Sequence, residues 1–320
     1  MSENINVVNP TISNVFGISH TTIAVIKSHF FTILIVLIGF STSSHSIARE
    51  VTQTFRGLEL NAELELAESK SMSDQLILIV HGGLAHRDME SLRYLRALLK
   101  ENQFATLSIN LSLGINNRHG MYDCQDPHQH TNDDALDEID VWIEWLKKLR
   151  VKQIVLLGHS RGGAQIALHA VERNQKIVTK IILLAPATKD NGAINYQKRY
   201  KQELEPILEK ATHLVNQGKG QALIEHANVM FCFDTNVSAK TIVSYFGEVK
   251  RLDTPWLLPK IAQPTLVIVA RDDKVVVGLD KKIQHLLKPG QLDMKVIDDS
   301  DHLFRDLNMD EAVDSILEFL

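Results

Sequence analysis

The hexapeptide Gly158-His159-Ser160-Arg161-Gly162-Gly163 constrains this 320-residue chain more than any other stretch. It directly follows the apolar run QIVLL (153–157) and opens a segment with apolar residues at helical spacing. A strand that turns at once into a helix brings the backbone back against itself. The residues flanking the central serine must then be small, and Gly158 and Gly162 meet that need. Such a turn lifts the Ser160 hydroxyl out of the sheet, where the start of the following helix favours negative charge.

The rest of the chain supplies the sheet that this turn requires. The stretch 51–67 alternates apolar and polar residues around Gly57 and predicts a hairpin. QLILIV (75–80) is a short continuous apolar run, as expected of a strand covered on both faces. Helical spacing follows over 88–99, then a strand over 104–109. Thr131 is a good N-cap for the next helix, with Asp133 and Asp134 in its first turn and Lys147 and Lys148 near its end. Strand 153–157, helix 160–173 and strand 180–184 continue the alternation. It breaks at about 187–259, which reads as polar and mostly helical with no buried-strand run. It resumes with strand 265–270, a helix around 280–287, strand 291–297 and a last helix over 309–320. The expected fold class is α/β: a mostly parallel, doubly wound sheet with a helical cap insertion. In such sheets the chemistry lies beyond the carboxyl ends of the strands.

The GHSRGG turn, the HGG that ends strand 75–80, the RDD that ends strand 265–270 and the late Asp301-His302 pair stand in one order along the chain. In these residues, and over nearly everything from Val51 to Leu320, the chain resembles the α/β-hydrolase superfamily. The resemblance implies a serine nucleophile at Ser160, activated by a histidine within hydrogen-bond reach. His302 fits that role among the 14 histidines, because it follows the last strand and precedes the last helix. His169 and His285 read as packing or surface residues. The acid that orients the base should end strand 265–270. Asp273 is expected there, with Asp272 as the alternative. The implied oxyanion donors are the backbone amides of Arg161 and of Gly83, with Leu84 as the alternative to Gly83. His81 reads as shaping that turn.

The implied reaction is hydrolysis of a carboxylic ester, or of an amide, through an acyl-enzyme, and it needs no cofactor. A small-molecule acyl substrate is the expected partner. Two alternatives share the fold: a serine aminopeptidase or prolyl-type peptidase, and a binding protein without catalysis. The segment 187–259 would act as a cap that narrows access. The loop Arg118–His130 should overhang the site. By residue type Cys124, His128 and His130 suit a soft metal, but their spacing matches no standard zinc pattern, so a hydrogen-bonded loop with no metal is expected. A Cys124–Cys232 disulfide would pin the cap to this loop.

A formal net charge of -5 offers no basic excess to neutralise phosphates, so nucleic acid is not an expected partner. At the N-terminus, FFTILIVLIGF (30–40) follows Lys27 and precedes Ser46-Ile47-Ala48. The run is short for a membrane span, and small residues stand where a signal peptidase reads. Segment 1–48 is therefore expected to be a signal peptide, with an N-terminal membrane anchor as the alternative. Residues 49–320 would form the hydrolase domain, exported to the periplasm or outside the cell.

Overall fold

The computed structural model describes residues 48–67, 72–189, 192–247 and 250–320. The segment 1–47, which carries the expected export signal, lies outside the described residues. Among the described residues no helix is long and apolar enough to cross a membrane.

The first half of the chain runs β1 (Arg49–Phe55), β2 (Leu58–Glu65), β3 (Gln75–Val80), α1 (Glu90–Glu101), β4 (Ala105–Ile109), α2 (Asn132–Lys148), β5 (Gln153–His159), α3 (Arg161–Glu172) and β6 (Val178–Leu184). An insertion follows: α4 (Gly192–Tyr200), α5 (Glu205–Asn216), β7 (Leu223–Val229), β8 (Cys232–Ser238), α6 (Ala239–Phe246) and α7 (Thr254–Leu257). The chain closes with β9 (Thr265–Ala270), α8 (Leu279–Ile283), β10 (Leu292–Ile297) and α9 (Leu307–Phe319).

Eight strands form one sheet in the order β1-β2-β4-β3-β5-β6-β9-β10. The β1–β2 hairpin and the β2–β4 pairing are antiparallel, and every pairing from β4 to β10 is parallel. The expected turn at Gly57 is present. Arg56 and Gly57 both adopt positive φ, the conformation that matches the twist of a tight hairpin.

Side chains alternate across a strand, so β3 feeds both layers. Leu76, Leu78 and Val80 pack with Leu136, Trp142 and Ile166 from α2 and α3. Ile77 and Ile79 pack with Leu92, Leu95, Val313 and Ile316 from α1 and α9. Both faces are covered, which is why β3 reads as a continuous apolar run. At the start of α2 the Thr131 side chain accepts from the Asp134 amide, and the Asp134 carboxylate accepts in return from Thr131.

The insertion differs from the sequence expectation. It is not purely helical: β7 and β8 form an antiparallel hairpin with its own small core of Ile224, Ala227, Val229 and Val237 against Ala211, Ile242 and Tyr245. Only one face of this hairpin is buried. Its other face carries Glu225, His226, Asp234 and Asn236, so no buried-strand run exists to be read.

The Cys124 and Cys232 sulfurs are bonded, joining residues 108 apart in sequence. The bond ties the loop after β4 to β8. Backbone bonds reinforce it, from the His128 amide to the Asn236 carbonyl and from the Ser238 amide to the His128 carbonyl, each 2.8 Å. Cross-links that close long loops restrict the unfolded chain, and a native one is worth roughly 2–5 kcal/mol. The Cys124→Ala/Cys232→Ala variant should therefore melt well below wild type while keeping its far-UV circular dichroism. Wild type scanned under reducing conditions should fall to the same midpoint. Equal midpoints for oxidised wild type and variant would contradict this.

Candidate active site

Ser160 follows β5 and caps α3 in a conformation that β and α residues avoid, φ 55° and ψ -121°. Strain of this kind costs about 1–3 kcal/mol and persists only where neighbours fix it. Here the Ser160 amide donates to the Leu184 carbonyl at 2.8 Å, and the Ser160 carbonyl accepts from Ala187 at 3.0 Å. The glycines have steric reasons. A methyl on Gly158 would come within 2.6 Å of the Gly162 carbonyl group, and one on Gly162 would strike the carbonyl oxygens of Val80 and His81. Helix α3 begins at the next residue, so its positive end lies beside the hydroxyl.

The loops after β9 and β10 bring two more side chains to this point. His302 Nε2 stands 2.8 Å from Ser160 Oγ, and His302 Nδ1 stands 2.7 Å from Asp273 Oδ2. The other carboxylate oxygen, Asp273 Oδ1, accepts from the amides of Val275 at 2.6 Å and Val276 at 2.8 Å. Burial works to raise the Asp273 carboxyl. The hydrogen bond from His302 and those from the two amides outweigh it and hold the group below the usual carboxylate range. Asp272, the sequence alternative, is exposed, and its amide is tied to the Ser300 carbonyl.

His159 is a member of this cluster that the sequence reading did not assign. Its buried Nε2 donates to the His302 carbonyl at 2.8 Å, and the two rings lie 5.0 Å apart. Burial, and next the neighbouring His302, push the His159 imidazole down to about 4, so it stays neutral and acts as a fixed donor. Its place beside Ser160 in the hexapeptide was the available signal.

The loop after β3 approaches from the other side. A Cβ on Gly82 would sit 3.0 Å from the Ser160 Cβ, so Gly82 packs against the serine side chain, with Gly83 next in the chain. Among the described residues, neither the Gly83 nor the Arg161 amide donates to a loop carbonyl. The Leu84 side chain is buried and its carbonyl accepts from Tyr122 at 2.9 Å. His81 holds the turn in shape. Its Nδ1 donates to the Gly82 carbonyl at 3.0 Å, and its Nε2 accepts from the Leu111 amide and from Arg118, both at 3.1 Å. Burial and the nearby Arg118 charge push His81 down to about 3, so it remains neutral.

The Arg118–His130 loop is built by hydrogen bonds. His128 Nδ1 faces His130 Nε2 at 3.3 Å, and His130 Nδ1 bonds the Tyr245 hydroxyl of α6 at 2.7 Å. The Arg161 guanidinium lies 4.0 Å over the Tyr245 ring and donates to Asn132 at 2.5 Å. Cys124 is committed to its disulfide, so it is not a thiolate ligand.

The family model for serine aminopeptidase, S33, matches residues 71–304, and the chain belongs to this family of α/β hydrolases. A curated relative, the candidate esterase/lipase 3 of Mycoplasma pneumoniae, is 28% identical over 174 residues, covering 50% of this chain. The match spans 60% of the length of that relative. Among solved structures, Est1E from Butyrivibrio proteoclasticus superposes with a TM-score of 0.55 at 18% identity, covering 84% of this chain and 98% of its own. The α/β hydrolase GrgF from Penicillium sp. sh18 gives 0.60 at 18% identity, covering 85% and 97%. The monoacylglycerol lipase of Paleococcus ferrophilus gives 0.54 at 17%, covering 82% and 98%. These likenesses show the fold.

Proposed function

We propose that the protein is a serine hydrolase that cleaves carboxylic esters through an acyl-enzyme. The observation that carries this reading is the unbroken hydrogen-bonded chain from Ser160 through His302 to Asp273, at 2.8 and 2.7 Å. Ser160 Oγ attacks the ester carbonyl while His302 Nε2 takes its proton. The amides of Gly83 and Arg161 receive the oxyanion. His302 then gives its proton to the leaving alcohol oxygen. Water repeats the sequence on the acyl-enzyme, releasing the acid and restoring Ser160. Asp273 holds the imidazole tautomer throughout and stabilises the imidazolium.

The relatives whose names include esterase or lipase support an ester substrate. Charge supports it over an aminopeptidase substrate. Phe231 lies against Gly83, and the Arg199 guanidinium lies 5.2 Å over the Phe231 ring, so a free α-amino group would meet like charge there. In this reading the insertion acts as a cap over the serine. The reading also has the protein exported, which the disulfide supports, because such bonds persist in oxidising compartments.

A fluorophosphonate serine probe tests the proposal. Wild type should be labelled and Ser160→Ala should not. A folded wild type that takes no label, or a variant that still does, would overturn it.

A further inference from the structure

Met230 and Phe231 form the turn between β7 and β8. The Phe231 side chain is large and apolar, yet 57% exposed. Its surroundings hold it firmly. The next residue, Cys232, is covalently bound to Cys124. The Met230 carbonyl before it accepts from Arg199 at 2.8 Å and from the Tyr200 hydroxyl at 2.7 Å. The Arg199 guanidinium lies 5.2 Å over the ring and Gly83 lies against its Cε2, and the part of the ring left open would gain by burial under an apolar group of a substrate.

The ring stands at the candidate site. A Cβ on Gly83 would lie 3.2 Å from Phe231 Cε2, and Gly82 beside it abuts Ser160. A second exposed apolar side chain, Met121 at 59%, precedes Tyr122, whose amide bonds the Leu84 carbonyl. The layout of the sheet says which part of a substrate meets this rim. Strand β5 lies between β3 and β6. Gly83 follows β3 on one side of Ser160, and His302 follows β10 on the other. The leaving oxygen must face His302 to receive its proton and the carbonyl oxygen must face the Gly83 and Arg161 amides, so the acyl portion takes the remaining direction, away from His302, on the side where Phe231 stands beside Gly83.

We infer that Phe231 selects the acyl group: esters of apolar acids lay their chain or ring across it, and the Cys124–Cys232 bond keeps it in place. This inference rests on the esterase reading. Chain-length preference should then depend on this one exposed side chain. Contacts of a methylene or two in an apolar pocket shift kcat/KM by about 10-fold or more.

The test compares kcat/KM for p-nitrophenyl octanoate and acetate, which share one leaving group. Wild type should favour octanoate. In Phe231→Ala the octanoate-to-acetate ratio should fall about 10-fold. Phe231→Trp, which restores an apolar face, should keep the preference, and Cys124→Ala/Cys232→Ala should lower the ratio through a raised KM for octanoate. A ratio unchanged in Phe231→Ala, with Ser160-dependent turnover intact in wild type, would overturn this inference alone. Wild type without Ser160-dependent turnover of either ester would overturn the esterase reading and this inference with it.

Discussion

Ser160→Ala should lower ester turnover by about 10⁶-fold, to a residue of catalysis left by binding and the oxyanion donors. His302→Ala should lose about as much, and the double variant little more, because in the proposed mechanism nucleophile and base act as one unit. The geometry makes the coupling explicit, since Ser160 Oγ and His302 Nε2 are 2.8 Å apart. Neither change should disturb the fold. Alanine at position 160 bears the same positive φ as serine, and the bonds that hold this turn come from the backbone amide and carbonyl. Single-turnover rates on a p-nitrophenyl ester, with circular dichroism of each variant, check the prediction. Two losses that multiply in the double variant would contradict it.

Asp273→Asn should cost about 10⁴-fold in kcat, with KM much less affected. An amide at this position can present N–H to His302 Nδ1 and so favour the tautomer that cannot take the serine proton. Asp272→Asn, one residue away and exposed, should leave kcat near wild type. The pH dependence of stability has a definite sign. The Asp273 carboxyl lies below its ordinary value in the folded state, because bonds from His302 and the Val276 and Val275 amides outweigh burial. Its contribution is fully present above the unfolded value of about 3.9 and is lost as pH falls through the lower folded one. Wild type should therefore lose stability faster than Asp273→Asn as the pH falls below about 4. Denaturant midpoints across that range would show it. Parallel curves would remove Asp273 as a stabilised carboxylate.

The parallel sheet was legible because β3, β5 and β9 are covered on both faces and spell continuous apolar runs bounded by turns. The serine turn was legible because carbonyl groups crowd positions 158 and 162 and leave room only for glycine. The family resemblance ranked Asp273 ahead of Asp272, and the physical difference between these adjacent identical residues, burial and the amides of Val275 and Val276, appears only in three dimensions. The β7–β8 hairpin was not legible. Its turn is Met230-Phe231, with Met230 at φ 55°, and it carries none of the Asn-Gly chemistry that normally announces such a turn. Its exposed face also breaks the apolar pattern. Two cysteines allow one pairing, and whether it forms depends on the fold, which brings their Cα atoms to 5.3 Å.

Strands β6 and β9 are hydrogen-bonded neighbours, Ile181 to Thr265 through Leu184 to Ile268, and the whole insertion runs between them. The entropy of closing such a loop grows only with the logarithm of its length, by about 0.6 kcal/mol per doubling. A much longer or shorter segment would therefore let the same two strands meet at nearly the same cost. The serine turn has no such freedom, because a single methyl at position 162 meets two carbonyl oxygens. A lineage built on this sheet can thus exchange what it accepts by replacing one contiguous stretch of gene, with the register of the strands and the reacting groups left as they are.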